Sequence, residues 1–248
     1  MTPLYVVTRR TTDWDDEAAV RAQLPQNFEW LVDLWNATFT MPYFQFRAAL
    51  KRITLDSHAR IKGAVMANLE DVPEGGLIAP CDDDDWYAPH LAAVLRDTLE
   101  PGRIGCRWKS RWIEVPPDFP QWLGAWRRRI LKTPQIWSCT TNNYAFVKCA
   151  ATEGLEKDHI RATRWFDSHP DQIKVLGDSL SVTNRNLASQ TSLRFAGSSA
   201  APMTAARLRF RHWRYRTIYA RRPSKGLEWA APYIAAMANL MGELRFRR

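Results

Sequence analysis

"EGGLIAPCDDDDW", residues 74–86, sets a Gly-Gly turn, a short apolar run and four consecutive carboxylates in immediate succession. Gly75 and Gly76 mark the turn, and Leu77, Ile78 and Ala79 read as a short buried strand that delivers the acids at its carboxyl end. Like charges side by side repel, so the run itself stabilises no fold. Asp82 and Asp84 are two apart, a spacing that points both carboxylates to one side of an extended or turning segment, and Asp85 offers a third group. Hard divalent cations take several oxygen ligands, so Mn2+ or Mg2+ bound here would relieve the repulsion. The plain alternative is a solvated acidic loop, or an acidic start to the helix that follows. The position between an apolar strand and the aromatics Trp86 and Tyr87 favours the cation.

Outward from this stretch, strand-like and helix-like segments alternate. "LYVVTRR" (4–10) reads as a buried strand, "DWDDEAAVRAQL" (13–24) as a helix with acids at its start, and "PYFQFRAALKRI" (42–53) as a helix opened by Pro42. "HARIKGAVMANLEDV" (58–72) contains good helix formers around Gly63. "PHLAAVLRDTL" (89–99) puts Leu91, Val94, Leu95 and Leu99 on one helical face. "RIGCRWKSRWIEV" (103–115), "QIWSCTTNNYAFVK" (135–148) and "DQIKVLGDSLSVTN" (171–184) read as strand regions, with a helix in "GLEKDHIRATRWFDS" (154–168) between the last two. The alternation predicts an α/β fold with a mixed, mostly parallel sheet flanked by helices. Ligands in such sheets bind at the carboxyl ends of strands, where the acids fall. The small-residue stretch "AGSSAAPMTAA" (196–206) reads as a linker between a main domain, 1–195, and a basic helical extension, 207–248.

The net charge of +9 has a location. Residues 201–248 carry eleven Lys and Arg against two Glu, while the first 200 residues balance. "RLRFRHWRYRTIYARR" (207–222) interleaves seven Arg with Phe210, Trp213, Tyr215 and Tyr219. "PYIAAMANLMGEL" (232–244) places Tyr233, Ile234, Met237, Leu240, Met241 and Leu244 on one helical face. Arg with interfacial aromatics suits an anionic membrane surface; packing on the main domain or on a second copy in a homo-oligomer, and binding of nucleic acid, are the competing uses. Four scattered Cys, with no metal-ligand spacing, suit a reduced cytoplasmic protein, and no signal peptide or span of ~18 apolar residues is visible.

The segment around the acids resembles that of GT-A glycosyltransferases, in which a Gly and an Asn precede an apolar strand that ends in a DxD motif. Gly63, Ala67 and Asn68, then Leu77–Ile78, then Asp82-Asp83-Asp84-Asp85 follow that pattern. "DSLSVTNRNLASQ" (178–190) is similar to a late segment of bacterial rhamnosyltransferase-like members. The resemblance implies a Rossmann-like GT-A domain that transfers a sugar from a UDP-, dTDP- or GDP-linked donor to a glycan or lipid-linked acceptor, as in surface polysaccharide synthesis. It implies that Asp82 and Asp83 meet the nucleotide and that Asp84 and Asp85 hold Mn2+ or Mg2+ against the diphosphate. Asn68 belongs to the same nucleotide-binding set, and Arg9, Arg10, Arg60 and Lys62 are the candidate phosphate contacts.

Transfer with inversion needs a base for the acceptor hydroxyl. Asp158 and Asp178 are the candidates, and His159 is a candidate metal ligand as well as an ordinary solvated side chain. Trp86, Tyr87 and Asn142 are the candidate acceptor contacts, drawn from a pool of aromatics and amides most of which serve the core or turns. A metal-dependent phosphohydrolase and a non-enzymatic module that binds lipid or nucleic acid are the alternatives to sugar transfer.

Overall fold

The structure, a computed structural model, describes residues 3–8, 14–23, 29–82, 84–99, 102–113, 143–184, 187–188, 203–220, 223 and 226–247. Its strands are β1 (Leu4–Thr8), β2 (Ala64–Ala67), β3 (Leu77–Cys81), β4 (Trp86–Tyr87), β5 (Gly105–Ile113), β6 (Tyr144–Val147) and β7 (Ile173–Asn184). Its helices are α1 (Glu17–Gln23), α2 (Glu29–Thr38), α3 (Tyr43–Ala59), α4 (Leu91–Thr98), α5 (His159–Ser168), α6 (Ala205–Tyr219) and α7 (Ala231–Glu243). The seven strands form one sheet in the order β2-β1-β3-β6-β5-β7-β4.

The α/β class, the mixed sheet and the flanking helices agree with expectation, and five of the seven strands run the same way, with β6 and β4 reversed. β1–β2, β1–β3 and β5–β7 pair parallel, whereas β3–β6, β5–β6 and β4–β7 pair antiparallel. Hydrophobic patterning marks a strand without giving its direction, and the antiparallel β6 between β3 and β5 is the element that divides the sheet. The helix expected over 58–72 also ends early. α3 stops at Ala59, and Gly63 takes φ +77, a left-handed backbone conformation that favours glycine. Past that break, "AVMA" pairs with β1 as a strand.

Alternation sorts the strands onto two faces. Leu77 and Ala79 point to the side carrying α4, with Leu4, Val6, Leu91 and Leu95. Ile78 points to the other, with Tyr144, Phe146, Ala162 and Phe166 of the α5 side. The sheet curls. β4 is the edge strand beyond β7, four positions from β3, yet the Tyr87 hydroxyl donates to the Pro80 carbonyl at 3.2 Å.

A third apolar cluster joins α2 and α3 to α6 and α7, with Trp35, Phe39, Phe46, Trp86, Tyr215, Met237 and Met241 all buried in it. The stripe foreseen on 232–244 faces this cluster in full, Tyr233, Ile234, Met237, Leu240, Met241 and Leu244 each being buried. Most of the proposed linker lies outside the described residues; its last members cap and begin α6, where Thr204 accepts from the Arg207 amide. Among the described residues no helix is long and apolar enough to cross a membrane.

Two outcomes follow from this shared core. Met237→Ala should cost about 2–5 kcal/mol, measured as a shift of one cooperative urea transition; an independent extension would leave that transition in place. His212 is buried, and burial holds its pKa below the usual value despite the 2.8 Å bond from Nε2 to the Met241 carbonyl. The unfolded chain therefore takes up this proton first as the pH falls. Stability that is complete above the ordinary histidine value of about 6.5 is then lost on acidification below it. Urea midpoints between pH 7.5 and pH 5 should fall, and less so in His212→Gln.

Candidate functional site

β1, β2 and β3 run parallel, with Val7 beside Ala67 and Thr8 beside Cys81, so their carboxyl ends share one edge of the sheet. The acids leave β3 at that edge. One carboxylate oxygen each from Asp82, Asp84 and Asp85 lies within 4.8 Å of the other two. Oxygens around a single hard cation are separated by about 3 Å when adjacent and about 4–5 Å when opposite, at bond lengths of roughly 2.0–2.6 Å. The spread thus matches one ion, given a small rotamer adjustment. An all-oxygen, all-carboxylate donor set also suits Mg2+, Mn2+ or Ca2+ over softer metals.

The three acids are not equivalent. Asp82 and Asp84 are half-buried, whereas Asp85 is 1% exposed. Asp85 Oδ1 accepts from the Asn184 backbone amide at 2.9 Å, and the Asp85 carbonyl accepts from His58 Nε2 at 3.1 Å. Asn184 is the last residue of β7, and its side-chain oxygen accepts from the Tyr219 hydroxyl at 2.6 Å. Burial, with Tyr215 and Asp84 nearby, pushes the Tyr219 phenol well up, so it stays protonated and able to donate. Ser57 Oγ accepts from the Tyr87 amide at 3.0 Å, which fixes the chain on the other side of the acids to α3. Tyr87 is likewise pushed well up by burial, then by Cys81 and Asp85.

The remaining candidates disperse. Asn68 directly follows β2 at the same sheet edge as the acids; it is exposed and donates to Asp71 at 3.1 Å. Arg60 and Lys62 lie at the amino end of β2 instead, and the Arg60 guanidinium engages Asp56 at 2.8 Å. Asp158 caps α5, accepting from the Ile160 amide at 2.8 Å, and His159 is the exposed first residue of that helix, outside the acidic cluster. Asp178 is exposed within β7, six residues before Asn184 and so up to about 20 Å along the strand from it. Arg9, Arg10, Asp83 and Asn142 lie outside the described residues.

Trp86 and Tyr87 are fully buried and go to opposite sides, Trp86 against Tyr233 in the helical cluster (5.7 Å between centroids) and Tyr87 beneath α4. Their rings are core and offer no open face to a sugar. His58, Asn184 and Tyr219 were missed from the sequence. The one local signal was an asparagine ending the strand region 171–184.

Comparisons of the chain with protein-family models, with curated proteins and with solved structures give no match.

Tyr219→Phe removes a buried hydrogen bond while keeping the ring. It should cost about 1–3 kcal/mol in urea unfolding; an unchanged midpoint would mean that the Tyr219–Asn184 contact does not brace the acids.

Proposed function

We propose that this chain is a divalent-cation-dependent glycosyltransferase of GT-A type, which takes a sugar from a nucleoside-diphosphate donor and delivers it to a glycan or lipid-linked acceptor. One observation carries the reading. Three carboxylates with single-ion spacing leave the carboxyl end of β3, inside a parallel β2-β1-β3 unit whose neighbouring strand ends open on the same edge.

Asp82, Asp84 and Asp85 would hold the ion. An Mn2+ or Mg2+ held there would supply positive charge against the diphosphate leaving group. The chain's own work is to keep the ligands in place before any donor arrives. Asp85 is pinned by the Asn184 amide, and its segment by His58 and Ser57, while Asp82 and Asp84 stay half-buried beside it. Exposure of Asn68 at the same edge supports a role for it toward the sugar or ribose hydroxyls. The reading covers the donor half of the reaction; Asp158 is engaged as a helix cap, and Asp178 lies along β7 away from Asn184.

Titration calorimetry with UDP, GDP, dTDP and CDP tests the proposal. At least one should bind in MnCl2 or MgCl2, lose its binding in EDTA, and fail to bind Asp84→Ala. At a ligand concentration of about 100 times Kd the folded state should gain about 2.7 kcal/mol. If all four give no heat, or bind equally well in EDTA, the proposal is wrong.

A further inference from the structure

The basic helix α6 divides its cations between two surroundings. Leu208, Arg211, His212, Arg214, Tyr215, Ile218 and Tyr219 face inward and are buried. Arg209, Phe210, Trp213 and Arg216 share the outer face and are exposed, Phe210 at 37% and Trp213 at 49%. The carboxyl end of the chain extends this face. Phe246 is 43% exposed, the Arg209 guanidinium lies 5.2 Å over its ring, and Arg209 Nη2 donates to the Arg247 carbonyl at 3.2 Å. Three large aromatics and the guanidiniums of Arg209 and Arg216 therefore share one surface, at whose edge Arg247 Nε donates to the Phe39 carbonyl at 2.9 Å. Neither 203–220 nor 244–247 contains an Asp or Glu.

We propose that this surface docks on an anionic lipid bilayer. Exposed aromatics beside arginines are what a helix uses when it lies in the headgroup region, where the rings enter the acyl boundary and the cations meet lipid phosphates. The charge pattern argues for an anionic partner, and the ring packing argues for lipid over single-stranded nucleic acid. Bases need open ring faces on which to stack. Phe210 already stacks with Trp213 at 5.7 Å and carries Arg214 over its ring at 5.5 Å, and Phe246 carries Phe39 and Arg209 in the same way. What those rings leave to solvent suits insertion. The inference goes beyond sugar transfer and does not depend on it.

Vesicle co-sedimentation of the full chain tests it, comparing phosphatidylcholine alone with a mixture of phosphatidylcholine and the anionic phosphatidylglycerol. The protein should sediment with the anionic vesicles, only weakly with the neutral ones, and progressively less as salt is raised. Arg209→Gln with Arg216→Gln should weaken partitioning about 30-fold, at roughly 1 kcal/mol per charge. Trp213→Ser, which alters only an exposed side chain, should weaken it with an unchanged urea midpoint. Three results would overturn the proposal: equal binding to both vesicle types; binding that both variants leave intact; or no vesicle binding, with the same residues instead needed for oligonucleotide binding or for a dimer seen by light scattering.

Discussion

The Asp85 carboxylate is the constraint on which the acidic edge depends. A carboxylate that is 1% exposed needs hydrogen bonds to offset its lost hydration. One of them comes from the amide of Asn184, ninety-nine residues later in the chain. That bond ties the loop after β3 to the end of β7, on the far side of the sheet order. The curl makes it possible: the strand that follows the acids, β4, pairs with β7, so the loop must span the distance from the middle of the sheet to its last strand. The Tyr219 bond to Asn184 then locks α6 onto the same junction. Three elements distant in sequence thus meet at one residue, Asn184.

From this junction the acids acquire different duties. Asp85 is held on both its carboxylate and its carbonyl, and the residues after it are held by α3 through Ser57 and His58. Asp82 and Asp84 keep partial exposure at the sheet edge where β1 and β2 also end. One fully buried carboxylate beside two half-buried ones is a workable arrangement for an ion that must accept ligands from both protein and substrate, because the site keeps its position while one side stays open to solvent. A uniformly solvated acidic loop would need none of these braces.

The legible parts of the fold are those where local pattern and tertiary setting agree. β1, β3, β5 and β7 were readable as β-branched or alternating runs, and the α7 stripe as a 3.6-residue period, because one face of each meets a single apolar cluster. β2 was not readable. Its four residues form helices readily, and the deciding feature is the backbone at Gly63, which pattern does not encode. Which strands reverse was not readable for a similar reason, since parallel and antiparallel neighbours can bury the same side chains. At the site, acids two apart predicted their own convergence, whereas the brace from Asn184 and Tyr219 is a long-range contact with no local signature. Trp86 and Tyr87 read as candidate acceptor contacts because they follow the acids. The two-residue strand β4 turns one into each of two cores.

The same partition explains the charge surplus. Counted along the chain, the basic residues look like a tail; placed on α6, they separate by helical angle. Arg211 and Arg214 turn inward at 8% and 2% exposure, on the face that also carries Leu208, Tyr215 and Ile218. An arginine can do this because its long stem packs like an apolar side chain, and its planar, weakly hydrated head tolerates ring faces, as Arg214 does over Phe210. Arg209 and Arg216 lie about a third to a half of a turn away, in solvent. Helical phase, more than composition, decides which cations build the core and which remain for a partner. A charge count over 201–248 cannot distinguish the two groups, but they contribute to different properties: the inner pair to folding, the outer set to whatever anionic surface the helix meets.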